Sequence, residues 1–435
     1  MHSAGTNKRM DGGISIFGVG ATFSSTELAA AAKRGAMTLT AFSVLLFFAA
    51  RPAQTQTETV LYNLSASGGG GPESGLTSDG KGNLYGTATF GGAVGPGTVF
   101  ELSPNGSGGW DETVLYSFCS DHLYCADGAY PTFSGVIFDS EGNLYGTAYQ
   151  GGAYRYGVVF ELSPSEGGWT ETVLYNFCAE GYPCNITGAY PVNDLVMSRA
   201  GNLYGRTFKD GPVPGTVFEL RHSRRGWTEK TIYYVDNGGY AGVTLDDNGH
   251  IFGVSTSTVF ELSRGGGKGV WTPTVIHTFT GSPKDGYYAQ GTPVLDEAGN
   301  LYGTTYQGGV REGGAVYKLS PVKEGKNKGE WTERVIYSFK GEADGSSPWA
   351  GVVLDAAGNI YGTTTSGGKD NGGTIFELLP QVGKGWYRKR RLWSFNGTDG
   401  YTPYGRLMLD DAGNLYGTTS SGGSSGGGVV FEVTP

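Results

Sequence analysis

A chain of 435 residues with 78 Gly, 13% aromatic and only 16% charged residues lacks the composition of a disordered or long-helical protein and matches a turn-rich all-β one. The formal charge is −9, and without residues 1–53 the balance is 26 basic against 38 acidic residues, or −12. Such a surface repels phosphate backbones and argues against nucleic acid as a partner.

From the N-terminus, Lys33 and Arg34 precede an uncharged run at 37–50 (MTLTAFSVLLFFAA). Its length is that of a signal h-region and short for a membrane span. Residues 1–53 are therefore read as leader and signal peptide, with Met10 or Met37 as alternative starts. Residues 54–435 form the exported chain, secreted or periplasmic, with no integral membrane segment. No Cys stands directly after the run, so a lipid-anchored terminus is not expected.

Beyond the leader one unit recurs seven times, centred on Asn83, Asn143, Asn202, Asn248, Asn300, Asn359 and Asn414. The anchors read GNLYGT, GNLYGT, GNLYGR, the degenerate NGHIFGV, GNLYGT, GNIYGT and GNLYGT. Before each lies an apolar run ending in a polar residue, as at 135–139 (GVIFD). After each come a glycine loop, a third apolar stretch such as 97–102 (GTVFEL), a polar turn, and a fourth such as 110–118 (WDETVLYSF). Four short stretches rich in Val, Thr, Tyr and Phe, divided by Gly, Asn and Asp, predict a four-stranded antiparallel propeller blade.

The anchor tyrosines are expected to pack between blades. Aspartates 79, 139, 246, 296, 355 and 410 are expected to accept backbone N–H groups in the Gly-Asn turn, with Ser198 in their place in blade three; the calcium pattern D-x-D-x-D-G is missing. Six of eight Trp (110, 169, 227, 271, 331, 386) open the fourth strand and read as structural.

Cys119-x5-Cys125 and Cys178-x5-Cys184 fall in equivalent loops, both ending in Gly-Ala-Tyr-Pro. This points to two local disulfides, with a cross-link between the loops as the alternative. Zinc is not expected, because C-x2-C spacing is absent and only His122 is near. Disulfides also fit an oxidising compartment. The basic run 388–391 lies in a predicted outer strand and reads as a solvated edge that discourages edge pairing, with an anionic contact as the alternative.

The segment 58–64 (ETVLYNL) matches a fourth strand, whereas the C-terminal residues follow a third strand. Pairing the two closes a seven-bladed propeller of 28 strands with no open edge. The units GNLYGT, GTVFEL and ETVLYSF resemble those of the GloVer-type tandem repeat proteins of bacteria over nearly all of residues 58–435. That resemblance implies an exported bacterial propeller with no established activity or catalytic residues. Relatives often end in a sorting or anchoring segment, and none is evident here, so surface attachment is not expected.

Catalytic motifs are scarce. Residues 422–426 match G-x-S-x-G but lie in a Ser/Gly loop between strands, without a strand-to-helix elbow. Five His offer no H-E-x-x-H, and no phosphate loop is present, so neither metal nor cofactor is expected.

Propellers place ligands over the channel mouth, where each blade contributes a loop. Six positions before the turn residue stand Glu73, Phe133, Val192, Tyr240, Gln290, Trp349 and Tyr404. Two positions later, where most blades carry Gly, stand Asp194 and Arg406. Phe133, Tyr240, Gln290, Trp349, Tyr404, Glu73, Asp194 and Arg406 are the ligand-site candidates, against a purely packing role. The reading favoured is a monomeric binding module for an extracellular glycan or protein. An extracellular lyase or hydrolase using Asp194 and Glu73 as acid and base is the alternative, and a structural or assembly role a further one.

Overall fold

Each anchor segment becomes the second strand of its own antiparallel sheet, and seven such sheets form. The computed structural model describes residues 56–435 apart from 66, 209–211, 236–238, 266–268, 382 and 384–386. The leader at 1–53 and Trp386 lie outside the described residues. Blade two is typical, with strands Ile137–Phe138, Leu144–Ala148, Val158–Ser165 and Gly168–Asn176 in spatial order. Blade seven takes its fourth strand from the N-terminal side: Thr57–Asn63 runs antiparallel to Val429–Thr434. No sheet edge is left unpaired at the joint.

Among the described residues the count is 29 strands rather than 28, because the first strand of blade five is split. Gly286–Ala289 and Val294–Leu295 both pair with Leu301–Gly308. In blades one, two, six and seven the same upper ladder is a single bridge, such as Ala129↔Gln150. Gly286 allows the close approach in blade five, where a Cβ would lie 2.3 Å from Thr305 Oγ1.

Packing follows the repeat. The third-strand ring of each blade lies over the anchor glycine of the same blade. A Cβ on Gly86, Gly146, Gly205, Gly253, Gly303, Gly362 or Gly417 would meet that ring at 2.3–2.7 Å. In five blades the same ring packs against a Phe that ends the fourth strand of the preceding blade. Phe118–Phe160, Phe177–Phe218, Phe279–Tyr317, Phe339–Phe376 and Phe395–Phe431 all have centroids 5.0–5.2 Å apart. Towards the opposite end, fourth-strand Trp residues pack on the preceding blade's anchor ring, as Trp227 does on Tyr145 at 6.3 Å.

The turn aspartates serve the backbone. Asp139 Oδ1 accepts the Glu141 and Asn143 N–H groups, and its Oδ2 accepts from Asn143 Nδ2 and the Tyr145 hydroxyl. Asp296 and Asp355 repeat this pattern. The Ser198 side chain accepts only the Asn202 N–H. Tyr204 then turns to Glu219, which Arg264 from the next blade also binds.

Cys119 bonds to Cys125 and Cys178 to Cys184, so both bridges are local. The basic run is only partly a solvated edge. Lys389 is buried against Asp344 of the preceding blade's loop at 2.9 Å, and Arg390 pairs with Glu377 at 2.6 Å. Strand alternation turns Lys389 into the seam between blades, which sequence position alone did not reveal.

In five other blades that seam position carries Glu, and in blade four it is Pro273. Burial, reinforced by Asp399 and Asp285 respectively, pushes Glu58 and Glu333 up to about 7, and burial reinforced by Asp127 pushes Glu171 up to about 8. Burial likewise lifts Glu229 to about 7. A carboxyl whose folded pKa is raised contributes stability that is complete below its unfolded value near 4.5 and lost as pH rises through the folded value. His277, held below its usual range by burial, opposes this as a single group.

Two outcomes are expected. The melting temperature should fall between pH 5.5 and pH 8.5, and a curve that rises with pH would show that these seam carboxyls ionise freely. Deleting residues 54–64 should expose the Val429–Thr434 edge and cause marked destabilisation or aggregation. An unchanged melting temperature in the truncated protein would contradict closure by that strand.

Candidate functional site

The loops from fourth to first strands and those from second to third strands share one face of the ring. At its centre the first strands begin, and their leading side chains turn towards the channel. Phe133 of blade two lies 4.9 Å from Tyr240, 5.6 Å from Trp349 and 5.7 Å from Tyr404, centroid to centroid. Trp349 also meets Tyr240 at 5.5 Å and Tyr404 at 5.4 Å. Four rings from blades two, four, six and seven thus form one cluster across the channel mouth. Each remains partly exposed.

Trp349 is therefore not isolated: it is the hub of the cluster. Phe133 reaches the centre from a left-handed backbone conformation, φ 55°. That geometry is unfavourable for a bulky side chain, by about 1–3 kcal/mol, and persists only where its surroundings hold it.

Sequence reading missed a second tier. Phe208 stacks on Tyr240 at 4.6 Å, and Tyr306 meets Trp349 edge-on at 5.5 Å. Both stand four residues after an anchor ring, where the other described blades have Thr89, Tyr149, Thr256, Thr365 and Ser420. The departure from the repeat was visible. What it faced was not.

Polar residues fix the rings from below. Gln290 is almost fully buried, and its Oε1 accepts the Tyr240 N–H at 2.9 Å. Asn193 Nδ2 donates to the Tyr240 carbonyl at 2.8 Å, and Asn193 Oδ1 accepts from Thr292 Oγ1 at 3.1 Å. Gln290 thus positions Tyr240, while Asn193 and Thr292 tie blades three, four and five together.

Beneath the cluster the channel encloses a cavity of about 920 Å³, lined among others by Glu73, Asn193, Asp194, Thr292, Trp349 and Arg406, and reaching Arg199 and Asp247 towards the opposite face. Asp194 Oδ1 accepts the Gly135 N–H at 2.7 Å. Burial raises the Asp194 carboxyl, while Arg406 and that N–H pull it back. Arg406 makes no hydrogen bond or ion pair to any described residue. Glu73 accepts from Thr89 Oγ1 at 3.1 Å and is pushed up to about 7 by burial. The two carboxyls have different partners, with no residue shared between them.

Around the same face the disulfide loops present exposed Leu123, Tyr124, Tyr182 and Ile186. Ser424 of the G-x-S-x-G match is exposed in its glycine loop, where its N–H donates to Asn63 Oδ1. Arg206, at the anchor position that is Thr in five blades, is fully buried between blades three and four. It donates to the Ala241 and Val254 carbonyls at 3.0 and 2.6 Å, and burial pushes it down to about 10.

Seven four-stranded blades, a first and last strand joined in one sheet, and loops converging on a central channel define a seven-bladed β-propeller. The chain belongs to the Gloeobacter/Verrucomicrobia repeat family, whose model matches residues 46–257 and 232–435. Comparison with curated proteins gives no match. Among solved structures, a fungal alcohol oxidase of the AA5 family in complex with copper is 15% identical with a TM-score of 0.51, covering 88% of this chain and 76% of its own. A gluconolactonase from Xanthomonas campestris is 13% identical with a TM-score of 0.41, over 88% of this chain and 98% of its own. A protein from Lactobacillus plantarum is 12% identical with a TM-score of 0.48, over 81% and 99%. At such identity the oxidase shares the fold alone.

Proposed function

We propose that this propeller is a secreted binding module that takes a glycan or peptide segment on the channel-mouth face. The observation that carries this reading is the convergence of Phe133, Tyr240, Trp349 and Tyr404 into one partly exposed aromatic surface. Flat rings held in place by their neighbours bind with little loss of side-chain freedom, and their faces suit the apolar face of a sugar or the side of a peptide. The strained backbone at Phe133 supports a role beyond filling space. Leu123, Tyr124, Tyr182 and Ile186 would extend the contact outward, on loops that the disulfides restrain. Two disulfides and the apolar run at 37–50 support action outside the cytoplasm. A lyase or hydrolase would require Glu73 and Asp194 to act on one substrate. Their separate partners offer no observation that favours it.

The test is a glycan and peptide array probed with the exported protein, followed by titration of any hit. Ligand should quench tryptophan fluorescence through Trp349. Trp349→Ala or Tyr404→Ala should each weaken binding by about 1–3 kcal/mol, the range for losing a buried aromatic contact. Normal binding by both folded variants would assign the cluster to packing instead.

A further inference from the structure

The geometry points to a divalent-metal site at the outer seam between blades four and five, formed by His277, Asp285 and Glu333. His277 lies on the fourth strand of blade four, Asp285 in the loop that follows, and Glu333 on the fourth strand of blade five. One ligating atom from each lies within 4.8 Å of the other two. The His277 Nε2 to Asp285 Oδ2 distance is 3.2 Å. Glu333 Oε1 is buried with no hydrogen-bond partner. Thr280 Oγ1 stands 3.3 Å from the same Asp285 oxygen.

The equivalent seams act as internal controls. Between blades one and two the imidazole position is Tyr116, whose hydroxyl donates to Asp127 at 2.7 Å. A protonated phenol is a poor metal ligand, so that seam carries only two carboxyls. Between blades five and six Glu is replaced by Lys389, whose ammonium lies 2.9 Å from Asp344 Oδ1. The fold thus already places a cation beside the loop aspartate at this point of a seam. At the blade four–five seam no Lys or Arg forms an ion pair with Asp285 or Glu333 among the described residues, and two carboxyls face each other with an imidazole beside them. One nitrogen and two oxygen donors suit a first-row divalent ion such as Zn²⁺, with water completing the shell.

The test is calorimetric titration of EDTA-treated, dialysed protein with Zn²⁺, alongside thermal melts. One equivalent should bind, and the melting temperature should rise with Zn²⁺. His277→Tyr installs the residue that Tyr116, Tyr175 and Tyr337 supply in other seams, so it should fold normally in EDTA while losing at least tenfold in Zn²⁺ affinity. Glu333→Gln keeps the side-chain shape and should lose a comparable factor. If wild-type protein takes up no Zn²⁺, or if either folded variant binds it as tightly as wild type, the site does not exist.

Discussion

The structure depends on one steric arrangement repeated seven times. An anchor strand must carry glycine where the third-strand ring lies across it, since any Cβ there would collide. Lying on its own blade, that ring meets, in five of the seven blades, the Phe that ends the preceding blade's fourth strand, with Leu64 and Val235 at that position in the other two. Each blade thus completes its core only by engaging its neighbour. A ring of such units has no natural end, and pairing Thr57–Asn63 with Val429–Thr434 satisfies the last sheet from within the chain.

Because the frame is held by the repeat, positions outside it are free to vary. The channel-mouth residues differ from blade to blade, and so do the residues four beyond each anchor. Rings from six positions meet there, and polar side chains from blades three to five fix the backbone beneath them. Rigid elements therefore carry a variable surface, which is how a common fold acquires an individual site.

The seams between blades form a second variable layer. The same place is occupied by a carboxyl pair, by a Lys–Asp ion pair, or by His with two carboxyls. A buried carboxyl beside another must keep its proton or gain a cation. Charge at the seams links ring stability to pH in a way the hydrophobic contacts do not.

Local pattern determined much of this. The seven anchors, the strand sequence within a blade, the turn aspartates, the two short-range disulfides and the closing strand were all legible, because each depends on residues near one another or on exact repetition. The channel-mouth positions could also be named from their register. Their meeting could not, because Phe133 and Trp349 are far apart in the chain and touch only once the ring closes. Phe208 and Tyr306 were overlooked for the same reason. Lys389 read as an exposed basic residue until strand alternation and the preceding blade's loop turned it onto Asp344. Sequence alone therefore determined the unit and the number of its copies, while the tertiary structure decided which departures from that unit face one another, since closure of the ring sets those distances.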